Sequence, residues 1–207
     1  AIDAAQKAGK SISYRLVYTG KQDDKSIEPS LFTDLQMKMP DVYLGIDTRN
    51  NTQLAAGIML AFDKELTEHP AQIVLVVDDL TATMSCAIVA KKMGLKVAHL
   101  VAGTRSFDMN MPKEVNRMIT DGLSDYLFTA GTTENRNLFQ TGCNNENVYN
   151  VGNILIDTIR FNRLRLVQPE WAEKMNVKEG RFILLTINRR KLLSEPLILK
   201  QLLETLV

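Results

Sequence analysis

Short aliphatic and β-branched runs recur along the chain, separated by segments whose apolar residues fall at helical spacing, and this alternation limits what the chain can fold into. Residues 13–18, 73–77, 96–101, 126–129, 147–151 and 181–187 read as strands. The segment 52–68 repeats Leu54, Ile58, Phe62 and Leu66 at helical intervals, and 81–93 does so with Met84, Ala87 and Ile88 before stopping at Gly94. The segment 112–123 opens on Pro112, as a first helical turn tolerates. A run such as Ile73-Val-Leu-Val-Val, apolar at every position, predicts a strand buried on both faces. The expected fold class is therefore α/β, a Rossmann-like parallel sheet flanked by helices.

With 207 residues there is room for one large domain or one and a fraction. The segment 161–180 breaks the alternation with scattered Arg and Asn, Pro169 and Trp171. Residues 1–160 are thus read as an N-terminal Rossmann-like domain, 161–180 as an interdomain crossover and 181–207 as the start of a second such domain. The opening residues up to Gly9 resemble the back half of a helix whose first strand is missing. A helix is also expected after Ser194, a plausible N-cap.

Charge excludes one class. Lys plus Arg number 25 and Asp plus Glu 24, without a basic stripe or tail, so nucleic-acid binding is not expected. No apolar run approaches a membrane span, and the start has neither signal-peptide nor transit-peptide character. Cys86 and Cys143 lack paired spacing and His partners, which predicts reduced thiols in a cytosolic protein and no metal site.

In open parallel sheets ligands bind beyond the carboxyl ends of strands, so residues just after each run are the candidates. Asp78 and Asp79 end one run ahead of a helix, where an Asp commonly caps free amides. Neighbours on an extended segment point oppositely, so one can cap while the other, Asp79, faces the crevice. His99 ends another run, and a buried neutral imidazole with both nitrogens satisfied is as good a reading as a ligand contact. Arg105 follows Gly103 in a string suited to a phosphate or carboxylate. Lys113, Arg117 and Asp121 share one helix face, whose ordinary reading is a solvated ion-pair face. Asn188-Arg-Arg-Lys forms a cationic loop after a strand, suited to a pyrophosphate or simply a basic turn.

In this order the pieces resemble the non-hydrolysing UDP-N-acetylglucosamine 2-epimerase family. The motifs that carry the likeness are Tyr18-Thr-Gly, Asp79 with Thr81 and Thr83, His99-Leu-Val-Ala-Gly-Thr-Arg-Ser-Phe-Asp, Met111-Pro-Lys-Glu-Val-Asn-Arg, Ser124-Asp-Tyr-Leu-Phe and Val151-Gly-Asn-Ile-Leu-Ile-Asp. The resemblance implies two Rossmann-like domains in the glycosyltransferase-B arrangement, a UDP-sugar substrate, and a homodimer that serves polysaccharide synthesis, without metal, nicotinamide or other cofactor. It implies elimination of UDP to a 2-acetamidoglucal, then re-addition after the C2 proton returns on the other face.

The same comparison places Asp79 and Glu114 at catalytic positions, and His99, Arg105, Arg117, Asn188 and Arg189 at substrate-binding ones. Asn116 with Arg117 matches the family's Asn-Arg pair. Three positions depart. Val101 stands where the family has the Glu of His-Val-Glu-Ala-Gly, Lys113 where it has the first Glu of Pro-Glu-Glu, and Asn188 where it has the His of His-Arg-Arg-Glu. Elimination needs a base for a weakly acidic proton and an acid or cation for the leaving phosphate, so the family fold is expected and the family rate is not. The expectations are an isomerase acting on UDP-N-acetylhexosamine, or a weak or silent paralogue binding a nucleotide sugar or a subunit. A glycosyltransferase of the same architecture is a weaker third.

Overall fold

The computed structural model describes residues 2–24, 29–48, 50–178, 180, 182–187 and 193–206. Its element order is α1 (Ile2–Lys7), β1 (Val17–Tyr18), α2 (Pro29–Asp34), β2 (Val42–Tyr43), α3 (Asn51–Glu68), β3 (Ile73–Val77), α4 (Thr81–Lys92), β4 (Lys96–Leu100), α5 (Pro112–Leu123), β5 (Tyr126–Thr129), α6 (Thr132–Gln140), β6 (Val148–Asn150), α7 (Ile154–Asn162), α8 (Glu170–Lys174) and α9 (Pro196–Leu206). The chain divides into two units, Ala1–Arg163 and Leu164–Val207.

In the first unit β3, β4, β5 and β6 lie side by side in chain order, all parallel, with Val76 opposite His99 and His99 opposite Leu127. β1 and β2 form a separate parallel pair, Val17 against Val42. The expected class, a parallel Rossmann-like sheet with flanking helices, is the one observed. Local signals explain the joints. Asn50 caps α3 through its side-chain oxygen, which accepts from Thr52 and Gln53 N–H at 3.0 Å each. Gly94 ends the α4 turn at φ +76°.

One core packs Ile58, Phe62 and Leu66 of α3 and Cys86, Ala87, Val89 and Ala90 of α4 on Val74, Val76 and Val97. A smaller one joins Ala102, Leu127 and Leu138.

Four expectations are corrected. β3 is not buried on both faces: Val74 and Val76 are buried, whereas Ile73, Leu75 and Val77 are 48%, 46% and 44% exposed. The described helices cover only the face with Val74 and Val76. The expected strand at 181–187 does not form over residues 182–187. A strand needs a ladder partner, and none is assigned among the described residues of the second unit. There Phe182, Ile183 and Leu184 are exposed. The first expected strand shortens to Val17–Tyr18, and β2, unexpected from the sequence, is its partner.

The fourth correction concerns α5. It buries Glu114, Asn116, Thr120 and Asp121 and exposes Met118. The face with Arg117 and Asp121 is not solvated, since their side chains are 16% and 2% exposed.

Candidate active site

Beyond Val77 the chain turns sharply. Asp78 takes φ +65°, and Val101, at the same place after β4, also takes φ +65°. The left-handed region costs a β-branched residue about 1–2 kcal/mol, so position 101 stores strain at the rim of the sheet. Neither Asp78 nor Asp79 caps α4: the N-cap is Leu80, without a side-chain bond, which corrects the capping expectation.

Asp79 is buried instead, at 4% exposure. Its Oδ2 accepts from Arg117 Nη2 at 2.5 Å, and Lys113 Nζ lies 2.9 Å from Oδ1. Burial pushes this carboxyl up, but hydrogen bonds and charge from Lys113 and Arg117 outweigh it and hold Asp79 below the usual aspartate range. Lys113 itself is 56% exposed, so half of its surface faces solvent beside the carboxylate it pairs with.

Glu114, 1% exposed, clamps the loop before α5. Its Oε2 accepts from Ser106 N, Ser106 Oγ and Arg117 Nη1, each at 2.9 Å, and Oε1 accepts from Phe107 N at 3.1 Å. Against the upward push of burial, these donors bring its pKa down to about 2. The carboxylate is ionised and fully engaged.

His99 is 1% exposed. Its Nε2 lies 2.9 Å from the Asp78 carbonyl oxygen and its Nδ1 lies 2.7 Å from Asp121 Oδ1. A carbonyl only accepts, so Nε2 carries a proton. Nδ1 meets the Asp121 carboxylate, so both ring nitrogens have a polar partner. Asp121 Oδ2 accepts from Arg105 Nη1 at 2.5 Å and Gly103 N at 3.2 Å. Gly103 is required there: its φ is +80°, and a Cβ would stand 2.6 Å from the Glu134 carbonyl oxygen.

The structure thus brings Asp79, Lys113, Glu114 and Arg117 together at one rim, with His99 and Arg105 tied to Asp121 beneath it and Val101 on the adjacent strand end. Both nitrogens of His99 are satisfied, as one reading of the sequence expected, and Arg105 turns inward at 2% side-chain exposure. Asn188 and Arg189 lie outside the described residues. Sequence reasoning passed over Asp121 as a site residue, and Ser106, which helps hold Glu114. The available signal was α5 itself, where Glu114, Arg117 and Asp121 occupy spacings that apolar residues hold in an ordinary core-facing helix.

Hollows among the described residues also lie elsewhere. One of about 250 Å³ is lined by Lys21, Asp23, Asp24, Ile46 and Asp47. Another of about 580 Å³ runs along α9 between Pro196 and Glu204. The first is polar and occupied by the Lys21–Asp47 ion pair at 2.8 Å, and the second is walled by one helix alone. The strand-end cluster, with its convergent charges and ion-paired carboxylates, is the better candidate for chemistry. Among the described residues no group of three His, Cys, Asp or Glu side chains is arranged to hold a metal ion, and no helix is long and apolar enough to cross a membrane.

A parallel sheet whose strand ends gather buried, ion-paired carboxylates defines a Rossmann-like α/β protein with a site at the carboxyl rim of the sheet. A family model described as UDP-N-acetylglucosamine 2-epimerase matches residues 4–207, and the chain belongs to that family. A UDP-N-acetylglucosamine 2-epimerase homolog of Methanococcus maripaludis is 30% identical over 177 residues, 84% of this chain and 49% of that protein. A Pseudomonas aeruginosa protein named UDP-2,3-diacetamido-2,3-dideoxy-D-glucuronate 2-epimerase is 29% identical over 199 residues, 95% of this chain and 55% of its own. Among solved structures, the Methanocaldococcus jannaschii UDP-GlcNAc 2-epimerase in complex with UDP-GlcNAc and UDP superposes with a TM-score of 0.80 at 27% identity, covering 98% of this chain and 56% of that one. The chain spans about half the length of these relatives.

Proposed function

We propose that this chain contributes the strand-end half of a UDP-N-acetylhexosamine 2-epimerase site in which Asp79 is the remaining crevice carboxylate and turnover is slow. The observation that carries the reading is the placement of Asp79, buried at a strand end between Arg117 and Lys113. In the elimination step Asp79 takes the C2 proton, the C1–O bond breaks, its electron pair leaves with UDP, and a C1=C2 double bond remains. Arg117 and Lys113 are the cations available to the departing phosphate. A proton then returns to C2 on the opposite face, the UDP oxygen re-forms the C1–O bond, and Asp79 releases its proton to solvent, which balances the cycle.

The same contacts support the reading of slow turnover. A carboxylate stabilised by two cations is a weak base, and its proton affinity is what the step draws on. Glu114, saturated by four donors, serves this reading as the clamp that holds the Ser106–Phe107 loop and Arg117, not as a proton carrier. Arg105 and His99 act from below, through Asp121. Asn188 and Arg189 are assigned to the substrate phosphates on the motif alone. A homodimer, a cytoplasmic location consistent with the two free cysteines, and the absence of nucleic-acid and membrane partners belong to the same proposal.

A second reading, a silent paralogue that binds a nucleotide sugar, is favoured by Val101, which cannot titrate, and by the Lys113–Asp79 pair. Conversion of UDP-N-acetylglucosamine to its manno epimer separates the two when measured on the complete polypeptide that contains this chain. The expected rate is at least about a hundredfold below that of relatives carrying Glu, Glu and His at the three positions. The triple variant Val101→Glu, Lys113→Glu, Asn188→His is expected to gain. A folded triple variant no faster than its parent, or a parent already at the relatives' rate, refutes the assignment. Dependence on an added acceptor sugar would mark a glycosyltransferase.

A further inference from the structure

Three successive backbone carbonyls at the end of β3 each take a side-chain donor, and each donor comes from a different element. Thr83 Oγ1 of α4 donates to the Val77 carbonyl at 2.7 Å, His99 Nε2 of β4 to the Asp78 carbonyl at 2.9 Å, and Asn116 Nδ2 of α5 to the Asp79 carbonyl at 2.9 Å. All three side chains belong to buried residues.

The arrangement has a physical cause. Asp78 N still donates to the Leu100 carbonyl of β4 at 3.2 Å, but at φ +65° the chain then turns away from the ladder, while α4 begins only at Thr81. Carbonyls at such a corner lie between two hydrogen-bonding patterns, and buried backbone acceptors require partners. Side chains supply them. The contacts fix the peptide planes on both sides of Asp79, and the planes fix the direction of its Cα–Cβ bond.

We propose that Asn116, together with His99 and Thr83, is a positioning residue that aims the Asp79 carboxylate by pinning the carbonyls of residues 77–79. Asn116 stands one position before Arg117 on α5, so a single helical turn delivers both the donor that holds the Asp79 backbone and the guanidinium that meets its side chain. His99 extends the hold downward, because Asp121 grips its other nitrogen and also binds Arg105. The aim of Asp79 is thereby linked to the buried charges beneath the rim. Its importance for catalysis rests on the reading of Asp79 as the crevice carboxylate, whereas the aim itself is measurable without substrate.

The test is a carbon-13 NMR titration of the Asp79 carboxylate in the 207-residue chain, assigned by loss of its signal in Asp79→Asn. The groups that face Asp79 are Lys113 and Arg117 from α5, Glu114 through Arg117, neighbouring Asp78, and His99 from β4 through the Asp78 carbonyl. In Asn116→Ala the freed backbone lets the carboxylate swing from its cations, and its midpoint is expected to rise by about one pH unit, a tenfold gain in proton affinity. Thr83→Val, nearly isosteric, is expected to move it in the same direction by less. Thr120→Val is the control: its hydroxyl binds the Asn116 carbonyl at 2.8 Å within α5, so it weakens the helix without touching the corner and should leave Asp79 unmoved.

Folded Asn116→Ala with Asp79 titrating as in the parent overturns the proposal, as does an equal shift in Thr120→Val. If Asn116→Ala does not fold, Thr83→Val decides, and an unmoved midpoint there overturns it. No turnover enters the measurement, so its failure leaves the epimerase reading standing, and a failed epimerase assay leaves this one standing.

Discussion

Replacing Glu114 by Gln preserves shape and removes charge, and the structure gives the cost by two routes. Oε2 accepts from Ser106 N, Ser106 Oγ and Arg117 Nη1, and Oε1 from Phe107 N. An amide has one oxygen, so its NH₂ group must oppose at least the Phe107 N–H, and a buried orphaned donor costs about 1–3 kcal/mol. Arg117 also loses one of its two carboxylate partners while 16% exposed. By the other route, the pKa of Glu114 falls from an ordinary 4.5 to about 2. That difference corresponds to about 3 kcal/mol in favour of the ionised side chain, and the neutral amide forgoes it.

The pH dependence carries the sign. Glu114 titrates at about 4.5 when unfolded and about 2 when folded, so its contribution is complete above pH 4.5 and is lost as the pH falls toward 2. Asp125 behaves alike, from 3.8 to about 2, held against burial by Val97 N–H, Lys96 and Lys91. Urea unfolding of parent and Glu114→Gln across this range is the assay. The expected result is a deficit of about 3 kcal/mol at pH 7 that closes between pH 4.5 and 2, with the Asp125 contribution common to both curves. A deficit under about 0.5 kcal/mol at pH 7, or one that stays constant down the acid limb, would refute the reasoning.

Gly103→Ala is expected to cost more than about 2 kcal/mol, since its Cβ would meet the Glu134 carbonyl oxygen at 2.6 Å with φ at +80°; thermal unfolding reads it, and a neutral substitution would sink the close-approach argument. At position 101, Gly and Asn should each exceed Ala in stability by about 1 kcal/mol, reversing the order found in helices, because φ is +65°; urea midpoints of the three variants decide, and Ala ranking first refutes it. In the native protein a disulfide reagent should label Cys143 and spare Cys86, whose thiol burial pushes up to about 12; Ellman titration of the Cys86→Ala and Cys143→Ala variants checks this, with equal labelling as the contrary result.

Much of the scaffold was legible because it follows from spacing along the chain. The helical period of Leu54, Ile58, Phe62 and Leu66, Pro112 at a first turn and Gly94 at a helix end are properties of a few neighbouring residues, and α3, α4 and α5 form where those signals place them. The order of motifs also carried the family. What depended on partners was not legible in the same way. The run 182–187, apolar at every position but Thr186, forms no strand, because a ladder is a contract between two segments and the pattern of one does not supply the other. β2, with only Val42 and Tyr43, exists because Val17 and Tyr18 lie beside it.

The site shows the same division more sharply. Residue types marked Asp79, His99, Arg105 and Arg117 as candidates, but charged residues at helical spacing read identically whether water or a carboxylate will solvate them. Only the packing of α5 turned Glu114, Arg117 and Asp121 inward and set Lys113 on Asp79. Tertiary structure decided it because the energy of a buried charge depends on the few groups within hydrogen-bond reach. Here those groups arrive from residues as distant in sequence as 78 and 99, 79 and 116, and 103 and 121.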